Sequence, residues 1–412
     1  MERNVPKLRF KEFNDEWIEY KLGEKTCIYD GTHQTPKYTD HGVKFVSVEN
    51  IEDIYGTDKF ISEEDYENGF KIKPQLGDIF MTRITAGVIG ATAIVDKEEE
   101  LAFYVSLALI RVIDKNLNSL FLKKYIESIY FKKELNKRII HVAFPKKINL
   151  GDIGECSVNL PSLQEQERIA NFLTKVDKII EKQDEKVRNL EKYKKGMMQK
   201  IFSQEIRFKD ENGEEYPEWE NKNLGELGET YTGLSGKTKE NFGVGTSKFI
   251  TYMNVFKNIK VNFSMLDLVE VGENEKQNKV IKNDLLFTTS SETPEEVGMV
   301  SVCTENIENL YLNSFCFGFR INDKESVNSE FMSYLLRSPE NRLKISTLAQ
   351  GSTRYNLSKS ELMKMKIKIP CIEEQNSIVK LLNNIDCISI NEQEKLLELK
   401  QWKKGFLQQM FV

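Results

Sequence analysis

The chain has 412 residues, 40% apolar and 30% charged, an ordinary globular balance with room for two or three domains at roughly 150 residues each. Its net charge is −5, no run of 18 apolar residues occurs, and the opening MERNVPKLRF lacks an apolar core, so neither a membrane span nor a secretory signal is expected. The six cysteines (Cys27, Cys156, Cys303, Cys316, Cys371, Cys387) are scattered without a CxxC pair, which predicts reduced thiols, a cytoplasmic protein and no zinc site.

Residues 1–160 read as a first domain. After Leu8–Trp17, short β-type runs such as VKFVSVENI and GDIFMTRI are broken by Gly, Asn, Asp and Thr. An amphipathic helix is expected near Leu120–Asn136, then a polar loop and a short strand closing on Leu160-Pro161. A long helix follows over 161–204, with proline at its start, where a missing N–H costs nothing. The order then begins again over 205–368, with SKFITYMNV, NDLLFTTSS, a helix near Ser329–Leu348 and a close on Ile369-Pro370, and a second long helix covers 369–412. Particular segments return about 200 residues later: LRFKEFNDEW as IRFKDENGEEYPEW, FVSVENI as FITYMNV, FLKKYIES as FMSYLLRS, LPSLQEQERIANFLTKVD as IPCIEEQNSIVKLLNNID, and KKGMMQKIF as KKGFLQQMF. So long a period is a duplicated domain with a duplicated tail, not a solenoid unit.

In the first long helix, Ile169, Leu173, Val176, Ile180, Val187, Leu190, Met197 and Ile201 fall on alternating steps of four and three; Ile378, Leu382, Ile385, Leu396, Leu399, Phe406 and Met410 do so in the second. Such a repeat marks a coiled-coil seam. Gln183, Lys194, Ser389, Glu392 and Lys403 interrupt it, polar residues that would fix register at some cost in stability. One stripe could pack on its own globular domain; two helices of equal length are expected to pack on each other. The expected fold is thus α+β, two tandem α/β domains and two long helices packed as an antiparallel coiled coil, with pseudo-two-fold symmetry.

No catalytic motif is evident. No Asn/Asp-Pro-Pro-Tyr stretch occurs, the three histidines are not spaced for a metal, and in Gly233-Leu234-Ser235-Gly236-Lys237-Thr238 the glycines are too close for a phosphate-wrapping loop. No cofactor is expected. Two basic stretches stand in an acidic remainder, Lys123–Lys147 and Arg337–Lys368. Beside them lie polar loops at matching places. In the first copy these offer Thr32, His33, Gln34 and Lys37, then Arg83, then Lys146 and Lys147; in the second, Ser235, Lys237 and Lys239, then Thr289 and Ser290, then Arg354 and Tyr355. Lys and Arg can neutralise phosphates, and Gln, Arg and His can meet base edges. Each loop could be an ordinary turn, since Gly, Thr and Pro favour turns; the duplicated set points to DNA contact.

The long helices open on Pro161-Ser162-Leu163-Gln164-Glu165-Gln166-Glu167-Arg168-Ile169 and Pro370-Cys371-Ile372-Glu373-Glu374-Gln375-Asn376-Ser377-Ile378. With two variable domains, this Pro-x-x-x-x-Gln-x-x-Ile pattern resembles the specificity subunit of Type I restriction-modification systems across essentially the whole chain. Gly31-Thr32 leading to Thr35-Pro36 resembles the family's early loop, whose proline the second copy lacks, and Gly77-Asp78 and Asn283-Asp284 resemble its mid-domain turn. The resemblance implies a subunit without catalysis of its own. Each domain would read one half of an interrupted, asymmetric double-stranded DNA target, with the helices setting the gap. It also implies as partners two methyltransferase subunits, which modify adenine with S-adenosylmethionine, and ATP-driven restriction subunits. A catalytic part unrecognised on this chain, or a coiled-coil adaptor without DNA function, are the alternatives.

Overall fold

The computed structural model describes residues 4–412. The chain divides into two compact units, Met1–Glu185 with Gln393–Val412, and Lys186–Glu392. Each unit therefore draws on both long helices, which run over Leu163–Phe202 and Ile372–Gln409.

In the first unit an antiparallel sheet orders the strands Thr26–Asp30, Leu107–Val112, Ile79–Thr82 and Thr92–Ile94. Side chains alternate along a strand, so the two central strands serve two cores. Ile79, Met81, Ala108 and Ile110 face the helical layer, while Phe80, Leu107 and Leu109 meet Val46 and Phe103 on the other side. Burial on both faces explains why these strands read as unbroken apolar runs. A smaller sheet holds Val43–Val46 between Phe60–Ile61, antiparallel, and Leu101–Phe103, parallel. Ile18–Lys21 pairs with Ser157–Leu160, which clips the start of the repeat to the strand that feeds the long helix.

The second unit repeats this plan. Its main sheet orders Gly228–Thr232, Cys316–Ile321, Leu285–Thr288 and Val300–Val302. Phe242–Ile250 lies between Leu266–Val269 and Leu310–Leu312, and Glu220–Asn223 pairs with Lys366–Ile369. Cys303 and Cys316 are core residues, and burial pushes the Cys303 thiol up to about 11.

The expected amphipathic helices are each broken in two: Ser119–Glu127 and Ile129–Asn136 in one unit, Ser329–Leu336 and Pro339–Thr347 in the other. The break falls at Ser128 and Ser338. The Ser128 hydroxyl caps the following helix by accepting from Phe131 N–H, and Pro339 occupies the first helical position after Ser338. The prolines before the long helices also sit one residue outside the expected place. Ser162 and Cys371 are the caps, their carbonyls accepting from the N–H of Gln166 and Gln375, and Pro161 and Pro370 precede them.

The opening of each long helix is tied down identically. Gln166, 1% exposed, accepts from Asn118 N–H and donates to the carbonyls of Asn116 and Pro161. Gln375, fully buried, accepts from Asn328 N–H and donates to Ser326 and Pro370. Next to these, the buried carboxylate of Glu165 holds Arg9 through two bonds of 2.8 Å, and Glu374 holds Arg207 through two of 3.0 Å. The repeated Arg-Phe near each domain start is therefore the anchor that ties the domain to its own helix.

The two helices pair antiparallel within each unit. In the first, Phe172 meets Phe406 edge-on at 5.0 Å and Lys403 reaches Asp177 at 2.8 Å. In the second, Lys194 pairs with Asp386, and Lys186 with Glu392 at 3.1 Å. Of the polar seam residues, Lys194, Lys403 and Glu392 are thus neutralised by the facing helix. Ile169, Leu173, Val187, Ile378, Leu382, Ile385 and Leu396 are buried; Val176, Ile180, Leu190, Met197, Leu399 and Phe406 are half-buried. Two helices shield only one stripe each, so a seam beyond the globular cores stays partly wet.

The tails cross over. Ile201 and Phe202, which end the first helix, enter the core of the second unit beside Trp219 and Phe331. Met410 and Phe411, after the second helix, enter the core of the first beside Trp17, Phe121 and Tyr125.

Candidate nucleic-acid interface

The mid-domain turn is built for rigidity. Gly77 and Asn283 take positive φ, 86° and 74°, which turns the chain so that Asp78 and Asp284 point inward. Both aspartates are buried and gripped by an arginine from a neighbouring strand, Asp78 by Arg111 at 2.6 Å and Asp284 by Arg320 at 2.7 Å. The strand that leaves this turn runs out to Arg83 in one unit and Thr289 in the other. These positions correspond, because Ile148 N–H donates to Arg83 C=O at 3.0 Å and Leu357 N–H to Thr289 C=O at 2.8 Å. The next residues then pair with the loop that precedes the long helix: Ile84–Thr85 with Lys146–Lys147, and Ser290–Ser291 with Tyr355–Asn356.

A cleft opens over this pairing in both units. In the first it measures about 630 Å³ and is lined by Thr35, Tyr38, Val48, Thr85, Tyr104 and Pro145, among others. In the second it measures about 280 Å³, and its lining includes Tyr252, Ser290, Ser291, Phe315 and Arg354. Val48 and Tyr252 are matching positions of the repeat, as are Thr85 and Ser291, so the two clefts are copies with different walls.

The residues expected at DNA divide accordingly. In the first unit His33, Gln34 and Lys37 are exposed and Thr32 is half-buried, in a loop whose Thr35 and Tyr38 line the cleft. His33 Nε2 lies 2.8 Å from Asp30. The start of the loop passes so close to neighbouring backbone that only glycine fits: a Cβ at Gly31 would come 2.1 Å from the Phe103 carbonyl oxygen, and one at Gly233 2.2 Å from that of Asn313. Lys146 and Lys147 are exposed and, among the described residues, have no ion pair. Arg83 departs from expectation. It is 8% exposed and donates to the carbonyls of Val105 and Ile148, with Asp30 at 3.5 Å, so it fastens the loops together instead of facing out. Burial lowers its pKa and the Asp30 charge opposes that.

In the second unit Arg354 is exposed at the cleft, Ser290 lines it from a nearly buried position, and Thr289 and Tyr355 are half-buried beside it. Ser235, Lys237 and Lys239 do not line this cleft. Ser235 bonds Gln277, and the Lys237 side chain, only 7% exposed, is held by Glu275 at 2.5 Å, so Lys237 is not a free cation as the loop composition had implied.

The basic stretches are also less basic than they read. Arg337 donates to four backbone carbonyls and Arg342 to three, and burial pushes them down to about 9 and about 10. Lys123 and Lys124 pair with Glu127, and Lys137 and Arg138 with Glu134. What remains outward and without an ion pair in the first stretch, among the described residues, is Lys132, Lys133, Lys146 and Lys147, with His141. Sequence reasoning missed the apolar members of these surfaces, Val142, Phe144 and Phe315, which are 97%, 90% and 58% exposed. The available signal was an apolar pair inside the otherwise polar HVAFPKK loop.

Among the described residues, no helix is long and apolar enough to cross a membrane, and no group of three or more His, Cys, Asp or Glu could hold a metal ion. The family model described as Type I restriction modification DNA specificity domain matches twice, at residues 14–190 and 216–401. The chain belongs to this family. It carries two specificity domains, each with its long helix. A chain assigned as the MjaX type I restriction enzyme specificity subunit of Methanocaldococcus jannaschii is 28% identical over 419 residues, covering 96% of this chain and 92% of that one. The MjaVIII specificity subunit of the same organism is 24% identical, covering 92% and 87%. A solved S subunit of a Type I restriction-modification system from M. genitalium shares the fold at 14% identity, with a TM-score of 0.58 over 99% of both chains.

Proposed function

We propose that this specificity subunit gives a Type I restriction-modification complex its DNA sequence preference, each unit reading one half of an interrupted, asymmetric target. The observation that carries this is the duplicated cleft: one scaffold, two sets of walls, so two different base sequences. The outward groups fit a division in which Lys146 and Lys147 meet phosphates while Gln34, Arg354 and the cleft walls meet base edges. The paired helices set the gap between half-sites and carry two methyltransferase subunits, which bring S-adenosylmethionine and the catalytic groups; restriction subunits join through them. The chain itself binds and positions DNA without bond chemistry, in the cytoplasm.

Mapping methylated adenines in cells carrying the subunit with its methyltransferase tests this. A bipartite motif is expected, and exchanging residues 1–160 for a relative's domain is expected to change one half only. Methylation at sites without a bipartite motif, or a change in both halves, overturns the reading.

A further inference from the structure

The two clefts differ at one rim. In the second unit the loop before the long helix presents Ser352, Thr353 and the exposed Arg354, a polar tip. In the first unit the same place presents Val142 and Phe144, 97% and 90% exposed. Folding leaves these side chains almost wholly in water, and neither of the clefts beside the loop receives them. Their surroundings define what can. Lys146 and Lys147 follow at once, exposed and unpaired among the described residues, and Lys132, Lys133, His141 and Lys146 line a cleft of about 400 Å³ beside the loop. Pro145, between Phe144 and Lys146, lines the main cleft. An aromatic ring set among cations that grip phosphates meets the stacked bases between those phosphates, and proteins open such steps with apolar side chains.

We propose that Phe144 is a wedge that enters the duplex between two base pairs in the half-site read by the first unit, with Val142 packing on the sugar edge. The proposal rests on the reading of that unit as a DNA half-site reader. It also makes the subunit asymmetric in mechanism. The first unit recognises in part how easily a step opens, which favours flexible pyrimidine–purine steps; the second relies on Arg354 and direct contact.

The test uses the full subunit with its methyltransferase subunits and the duplex target from methylation mapping, with 2-aminopurine placed in turn at each step of the first half-site. Phe144→Ala and Phe144→Trp are compared with the natural chain. The natural complex is expected to brighten 2-aminopurine several-fold at one step other than the methylated adenine, where base flipping gives its own signal. Phe144→Ala should abolish that brightening, leave the flipping signal in place and weaken target binding about tenfold, in keeping with the worth of base–aromatic stacking; Phe144→Trp should restore binding. Brightening that survives Phe144→Ala, or no unstacked step in a natural complex that binds its target, overturns the wedge while the half-site reading stands. Loss of methyltransferase copurification in Phe144→Ala overturns it too, by showing a protein contact. Failure of the natural complex to bind the mapped duplex removes the underlying reading itself.

Discussion

The crossed tails carry a sharp energetic prediction. Phe411 is fully buried in the first unit, with ring centroids 5.5 Å from Tyr125, 5.6 Å from Phe121 and 6.3 Å from Trp17. Its neighbour Val412 accepts from Tyr125 Oη at 2.6 Å and from Asn159 Nδ2 at 3.1 Å. Phe411→Ala removes the ring and leaves a cavity, which costs about 3–5 kcal/mol in a packed core. In a unit of about 200 residues, each kcal/mol lowers Tm by about 2–4 °C, so a drop on the order of 10 °C is expected for this unit. Calorimetry gives the size, and hydrogen exchange gives the place: protection should fall around Trp17, Phe121 and Tyr125. The mirror change, Phe202→Ala, should act instead on the second unit, where Phe202 lies 5.9 Å from Phe331. If Phe411→Ala leaves Tm and the protection of these residues unchanged, the tail does not complete this core.

Replacing Lys146 and Lys147 by alanine should weaken binding alike on all sequences and reduce the salt slope by about 1 for each phosphate no longer neutralised, measured by titration at several salt concentrations. Arg354→Ala should relax base choice in the second half-site, a loss of about 1–3 kcal/mol of discrimination. Arg83→Ala should lower the first unit's stability, and methylation mapping should find the same motif, because its guanidinium holds main-chain carbonyls. Burial alone would raise the Glu127 carboxyl, but the charges of Lys123, Lys124 and Lys403 outweigh it and hold the pKa down to about 2. A depressed carboxylate stabilises the fold above its unfolded pKa, ~4.3, and that contribution, of order 3 kcal/mol, is lost as pH falls toward 2. Denaturant titrations should show this decline, and Glu127→Gln should remove that component of it.

The duplication, the order of elements and the helix seam were legible because each is a pattern along the chain. The expected α+β architecture with paired long helices is present for that reason. Where the pattern depends on a distant partner, it was silent. Nothing local in QQMFV tells that Phe411 belongs beside Trp17. Arg337 and Lys132 look alike as members of basic stretches, yet one donates to backbone carbonyls of other loops and the other faces water. The helix break at Ser128 was hidden because the apolar spacing continues across it, while a single serine hydroxyl resets the hydrogen-bond ladder. Arg83 illustrates the same limit for the site: its type suggested a base contact, and its geometry makes it a fastener.

The glutamines at the helix openings hold backbone and not side chains. Among the described residues, the Gln166 side chain bonds main-chain atoms of Asn116, Asn118 and Pro161, and the Gln375 side chain those of Ser326, Asn328 and Pro370. The glutamine part of the joint is blind to side chains. A foreign globular segment with the same backbone course would satisfy the glutamine whatever its own side chains there, provided it brings an arginine to the buried carboxylate of Glu165 or Glu374 and an apolar face to Ile169 and Leu173 or to Ile378 and Leu382. Strand exchange between genes, with crossovers at the two Pro-x-x-x-x-Gln stretches, would therefore yield folded hybrids wherever the incoming domain keeps that arginine and apolar face, and new target preferences could arise by shuffling cassettes.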